Sequence, residues 1–332
     1  MPEKKQKAPR AKKVRVAMVG AGRMANHVHY PSLASFADVE IAAISDLDPA
    51  RLNETADKYG VAARYADYRS MIEKVAPDGV YVIGQPQLMY DIWIWCLEHK
   101  LNLFIEKPMG LSAHQARMLA ELAEKAGVIT QVDFQRRSSP LLNRARNECL
   151  KKGPVSYAVC EFYKCNPAPF WGAGGHMMDD FVHITDTVRW MCAGEIVEID
   201  SRCRRLGTPD INFIHVVLRF DNGSTGLAVG HWNCGRRIFR VQMHAPAITA
   251  EADVEGKARV FADGDTRGAE FDCFETAGGK TDWEAFGFRD KNREFIDSIK
   301  TGRDRTSSPF RDAVKTMEAV EKILAQDILR GV

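Results

Sequence analysis

Residues 16–27 read VAMVGAGRMANH. An apolar run stops at a turn where Gly20, Gly22 and Ala25 stand in a G-x-G-x-x-A arrangement, and a helical pattern follows. Each small residue has a physical task in such a turn. Gly20 permits the tight bend, Gly22 lets a pyrophosphate approach the backbone, and Ala25 allows helix and strand to pack closely. Free amides and the dipole at a helix start then favour the phosphates. Arg23 and Met24 lie inside this turn and are candidate cofactor contacts. The motif alone is weak, but its context is specific: a strand precedes it, a helix follows, and Asp46 ends the next apolar run. A carboxylate there accepts bonds from the adenosine ribose hydroxyls and repels a 2′-phosphate, which favours NAD over NADP. Arg51, on a capped helix, reads as a surface residue.

Outward from this turn, short apolar runs alternate with helical patterns. VEIAAIS (39–45), GVYVIG (79–84), LNLFI (101–105) and VITQV (128–132) read as further strands. Between them, Asp48, Pro49 and Gly60 supply an N-cap, a first helical residue and a stop. Ser112 and Gln115 form a capping-box pair, and Gly127 ends that helix. Pro31 is expected to kink or shorten the first helix. Apolar strands alternating with helices predict a parallel, doubly wound sheet.

After about residue 150 the rhythm changes to successive strands, among them INFIHVVLRF and STGLAVGHW joined at Asn222-Gly223, a hairpin signal. The second half is therefore expected to hold an open, mainly antiparallel sheet, closed by two helices. The fold class is α/β, with residues 1–12 a disordered basic tail, 13–133 a dinucleotide-binding domain, and 134–332 a domain for substrate and oligomerisation.

The net charge of +2 gives no electrostatic reason to expect nucleic acid. No apolar stretch reaches membrane-spanning length. Eight scattered cysteines, without a Cys-x-x-Cys pair or a secretion signal, point to a reducing cytoplasm.

Two segments carry chemistry. At 103–110, LFIEKPMG ends an apolar strand in a glutamate, a lysine and a proline. Ligands of open α/β sheets sit beyond the carboxyl ends of the strands, so Lys107 faces a site. At 174–194, GGHMMDDFVHITDTVRWMCAG places His176, Asp179, His183 and Asp186 at steps of three, four and three on one helical face. A wet surface stripe, a metal site and an acid/base helix all fit that spacing. No metal is assigned, and the third reading joins His183 to the site that Lys107 faces.

The motifs GAGRMA, ISDLDP, EKP, GGHMMDDFVHITD and FIDSIKTGR, in this order over about residues 13–328, resemble the Gfo/Idh/MocA oxidoreductase family. The resemblance implies a Rossmann domain, a carboxy-terminal α/β domain, and hydride transfer between NAD(P) and a hydroxyl or keto group of a sugar, cyclitol or related polyol. It implies dimers or tetramers through the second sheet. It makes Lys107 the active-site lysine, His183 the acid/base histidine, and Asp179 the acid that contacts substrate or orients the pair. Asp186 is the further acid one turn on, and Pro86 the proline of the loop after the fourth strand. Two departures stand out: GQPQLMY where members often show an Asn-His-x-His-like run, and Phe181 where glycine is common.

In this reading His183 moves the hydroxyl proton while Lys107 stabilises the alkoxide, or the two roles are reversed. A unit charge at about 4 Å contributes roughly 4 kcal/mol at intermediate dielectric, so oxidised nicotinamide beside Lys107 would depress its pKa. Glu106 is expected to support the cofactor or the fold. Arg136, Arg137, Lys164, Arg236 and Arg237 border the predicted pocket, and any two pointing inward would suit an acidic sugar. Trp171 and Trp232 are candidates to stack on a sugar ring. One other function shares these residues, a glycoside hydrolase or lyase that oxidises its sugar transiently; a further reading, an NAD-binding regulator without turnover, is opposed by the presence of both catalytic groups.

Overall fold

A computed structural model describes residues 13–170 and 174–330. The basic tail and Trp171 lie outside the described residues. The first sheet contains six parallel strands: β1 (Val14–Val19), β2 (Val39–Ser45), β3 (Arg64–Tyr65), β4 (Gly79–Val82), β5 (Leu103–Ile105) and β6 (Thr130–Val132). Their order, β3-β2-β1-β4-β5-β6, puts the switch in winding direction between β1 and β4, where both carboxyl ends face one crevice. β4, β5 and β6 are buried at every position, as strands covered on both faces must be.

Gly20 stands where β1 enters this crevice. Its φ is +105°, and a Cβ there would lie 2.2 Å from the Ile83 carbonyl oxygen, so no other residue fits. The following helix starts as a π-helical turn, Ala25–His29, in which the Tyr30 amide reaches back to the Ala25 carbonyl. It continues only through Tyr30–Ala34, with Pro31 near its start. A proline lacks the donor that a regular ladder needs, which accounts for the short, irregular helix. Asp48 and Gly60 cap the helix Pro49–Tyr59 as expected. The expected capping box is half present. The Ser112 hydroxyl accepts from the Gln115 amide, but the Gln115 side chain accepts from Leu111, one residue earlier.

The second sheet has eight strands: β7 (Tyr157–Cys165), β8 (Ile196–Arg204), β9 (Phe213–Phe220), β10 (Thr225–His231), β11 (Asn233–Ala245), β12 (Ile248–Asp253), β13 (Lys257–Ala262) and β14 (Ala269–Asp272). All neighbours run antiparallel except β7 and β10. The Asn222-Gly223 hairpin joins β9 to β10. β12–β14 were not expected from the sequence. They are short, and alanines stand at most of their buried positions, which leaves a faint alternation. The helices Pro140–Leu150 and Val182–Cys192 cover one face of the sheet.

The chain then returns to the first sheet. Helix Phe288–Thr301 sends Phe295 and Ile296 into the same core as Tyr81 and Phe104. Helix Phe310–Leu329 lies along helix Ala113–Ala126. Ser308 and Thr306 bond to the backbone of β6, satisfying an edge that would otherwise be open. Among the described residues no helix is long and apolar enough to cross a membrane.

Candidate active site

A cleft of about 680 Å³ opens between the two sheets, lined by residues from both halves of the chain. Lys107, at the exit of β5, enters it from one side; Asp179 and His183 enter it from the other. The Lys107–Pro108 peptide is cis. The Lys107 ammonium donates to the backbone carbonyl of Asp179 and, over 3.1 Å, to Oδ1 of the same residue. Burial by itself would lower the lysine's pKa, but the carboxylates of Asp179, Asp180 and Glu106 outweigh it and raise the pKa above 10.5. His183 moves the other way. Burial, followed by the charges of Lys107, Arg136, Lys164 and Arg237, holds its pKa well below 6.5. The pair is therefore a fixed cation beside a neutral imidazole. Nδ1 of His183 has no hydrogen-bond partner among the described residues.

The other end of the cleft reaches the glycine turn, where Arg23, Met24 and His27 line it. A Cβ on Gly22 would meet nothing within 4 Å, so the protein's own packing does not require glycine there. That open cradle beside backbone amides fits a pyrophosphate. Pro86 and Gln85 line the opposite wall. Asp46 is further back. Its Oδ2 accepts from the Ala21 amide at 2.7 Å, and its Oδ1 accepts from Asp48 and from the Arg51 guanidinium at 3.0 Å. Burial opposes its charge, yet these donors win and lower its pKa. Arg51 is at the surface, as expected, but it is also the partner of Asp46.

Glu106 lines the cleft and also faces inward. His29 Nε2 lies 3.1 Å from Glu106 and 3.6 Å from Asp133, all three being buried. These groups come within 4.8 Å of one another. Burial and the neighbouring Glu106 charge push the Asp133 pKa up to about 8, so it holds a proton near neutrality. Burial lowers the His29 pKa, but Glu106 and Asp133 reverse this and raise it. His29, its pKa raised, thus holds the Glu106 carboxylate from below, with the protonated Asp133 beside it. This cluster left no sequence signal, because its members come from a helix, a strand exit and the end of β6.

The expected stripe on 174–194 does not survive as one face. A π-helical turn at Met177–Phe181 rotates the register between His176 and His183. His176 is buried and stacks on Trp232, with ring centroids 4.6 Å apart. Asp186 is 1% exposed and accepts two bonds from Arg137, at 2.6 and 2.8 Å. It does not line the cleft, which corrects its assignment as a substrate residue: a buried guanidinium claims both its oxygens. Phe181 is also in the core rather than at the pocket. Gly230 makes room for it, since a Cβ there would lie 2.9 Å from its ring and 2.5 Å from Trp232. Trp232 is fully buried and donates to Asp180. Of the five basic candidates, Arg136, Lys164 and Arg237 line the cleft. Asp180 and Glu255, which sequence reasoning missed, bind these cations. Glu255 lies in the turn between β12 and β13, where no periodic pattern marks it.

The sequence profile of the oxidoreductase family with an NAD-binding Rossmann fold matches residues 14–134, and that of the GFO/IDH/MocA C-terminal domain matches 152–250. A myo-inositol 2-dehydrogenase of Thermotoga maritima is 27% identical over 75% of each chain. The rhizopine catabolism protein MocA of Rhizobium meliloti is 30% identical over 68% of this chain and 72% of its own. Three further curated relatives align over 54%, 65% and 66% of their lengths. Among solved structures, a dehydrogenase from Chromobacterium violaceum superposes with a TM-score of 0.87, covering 96% of this chain and 97% of that one at 18% identity.

Proposed function

The chain belongs to the Gfo/Idh/MocA family of NAD-binding oxidoreductases, and we propose that it is an NAD-dependent dehydrogenase of a sugar, cyclitol or sugar derivative, acting through Lys107, His183 and Asp179. One observation carries this reading: an ammonium from β5 and an imidazole from the helix Val182–Cys192 line a single cleft that continues to the glycine turn. Bound nicotinamide supplies the centre that accepts or returns a hydride. The open cradle at Gly22, with Arg23, Met24, Pro86 and Glu106 around it, would hold that cofactor.

His183, neutral at physiological pH, takes the proton of the substrate hydroxyl in oxidation and returns it in reduction. Lys107 keeps its charge and stabilises the developing alkoxide. Asp179 holds the lysine in place by taking two of its three donors, through its carbonyl and its Oδ1. Asp179, Asp180 and Glu106 keep Lys107 charged, and would do so beside an oxidised nicotinamide, which favours the histidine as base. Asp46 favours NAD over NADP, because a 2′-phosphate would meet its carboxylate.

Phe213, Val217, Leu227 and His231, half-exposed on the open face of the second sheet, support self-association there. Light scattering at micromolar concentration tests it: a monomer mass would end that part of the reading.

The functional test is a panel of sugars, cyclitols and sugar acids with NAD and NADP, read by reduced-nicotinamide absorbance and by product analysis. Turnover lost in both Lys107→Ala and His183→Asn, with cofactor affinity retained, is expected. Unchanged turnover in both would sink the assignment.

A further inference from the structure

At the substrate end of the cleft four cations, Lys107, Arg136, Lys164 and Arg237, are bonded to three carboxylates, Asp179, Asp180 and Glu255. Lys164 donates to both oxygens of Asp180, at 2.7 and 2.8 Å, and Lys107 is matched by Asp179. Glu255 is shared by two guanidiniums: Arg237 contacts it at 2.5 and 2.9 Å, and Arg136 at 2.8 Å. Each carboxylate has a cation, and one of them has two. The other two carboxylates among the described residues of the lining bond to none of these four cationic side chains. Glu106 is held by His29, and Asp282 stands at the rim, 3.9 Å from His27.

Arg136 is the unusual member. It is 6% exposed and lies over the rings of Phe239, at 4.5 Å, and Phe286, at 6.0 Å. Only its Nη2 is bonded; Nε and Nη1 are buried with no partner among the described residues. Guanidinium donors left unpaired in a dry place cost stability unless something else satisfies them. The same four cations are felt at His183, whose pKa is depressed by burial and by their charges.

We propose that this end of the cleft recognises a carboxylate on the substrate, so that the enzyme acts on a sugar acid rather than a neutral sugar. The carboxylate would be seated between Arg136, Arg237 and Lys164, with the reacting hydroxyl directed to His183 and Lys107. Three separate elements converge on it: the turn after β6, β7 and β11. One guanidinium beyond a one-to-one pairing, at the shared Glu255, matches a monoanion, whereas a phosphate dianion would overfill it. The position of the hydroxyl site rests on the function proposed above; the basic trio does not.

Calorimetry on the NAD-loaded protein with matched pairs provides the test: D-glucuronate against D-glucose, D-gluconate against D-glucitol, and glucose 6-phosphate as the phosphate arm. Each acid is expected to bind about 10- to 100-fold more tightly than its neutral counterpart, the range of one to two charge-assisted hydrogen bonds. Glucose 6-phosphate is expected to gain less. Arg237→Gln, at an exposed position, and Arg136→Gln should each remove most of the difference while NAD affinity stays the same. Neutral sugars binding as tightly as the acids, a phosphate preference, or no acid binding at all would overturn the proposal. Acids that bind but are not oxidised would instead refute the Lys107 and His183 assignment and leave the carboxylate site standing.

Discussion

The two ends of the cleft are built from different material. The nucleotide end is mostly backbone: a glycine turn, helix-start amides and one carboxylate tied to Ala21 and Asp48. The substrate end is mostly charged side chains held in ion pairs, two of which, Lys107 with Asp179 and Arg136 with Glu255, join the two halves of the chain. Backbone sites depend on which residues lack a side chain. Side-chain sites depend on where distant elements meet. Substitutions should therefore fail differently at the two ends, by shape at one and by charge at the other.

The largest effect is expected at Lys107. Lys107→Ala removes the fixed cation at the developing alkoxide and should lower kcat by about 10³-fold or more, with NAD affinity within a few-fold of the original. Steady-state kinetics beside a cofactor titration would show it. A comparable loss of NAD affinity would move Lys107 to the nucleotide end.

His183→Asn should cost about 10²- to 10³-fold in kcat. The parent's pH profile adds a sign. Oxidation needs neutral His183, and its pKa lies well below 6.5, so kcat/KM should hold through pH 6.5 and fall only under more acid conditions. Removing Lys164 (Lys164→Met) takes away one of the depressing charges and should shift that acid limb upward.

The two glycines of the turn give the next contrast. Gly20→Ala forces a side chain into positive φ and against the Ile83 carbonyl, and should cost about 1–3 kcal/mol of stability, read as a lowered Tm. Gly22→Ala places a Cβ that meets no protein atom within 4 Å, so Tm should be nearly unchanged while NAD affinity falls by about 10-fold or more. Equal losses of Tm in both would contradict the open cradle.

The effect expected at Asp133 is one of pH dependence: the residue holds a proton with a pKa near 8 when folded, against an ordinary value of 3.8. The folded state binds more protons than the unfolded one between those values, so this residue lowers stability as pH rises through that window. Asp133→Asn imitates the protonated acid. It should match the parent only at or below about pH 3.8 and become increasingly the more stable of the two as pH rises toward 8, in thermal melts across that range.

The same contrast governs what could be read in advance. Asp179 and Asp186, in one helical segment, were indistinguishable by spacing. The π-helical turn and the arrival of Arg137 separate them: one pairs with Lys107 at the cleft, the other is sealed in the core. Lys107 and His183 were legible as chemistry-bearing residues but not as neighbours. Glu255, Asp180 and the His29–Asp133 pair carried no local pattern.

Local sequence determined the parallel sheet, the glycine turn, the helix caps and the hairpin at Asn222-Gly223, because periodicity, missing side chains and capping act over a few residues. Tertiary structure alone decided which charges share the cleft and which are buried, since pairings such as Lys107 with Asp179, or Arg136 with Glu255, join positions that only packing of the two sheets brings together. Charge is a property of a residue; its pKa and its purpose come from the neighbours that folding supplies.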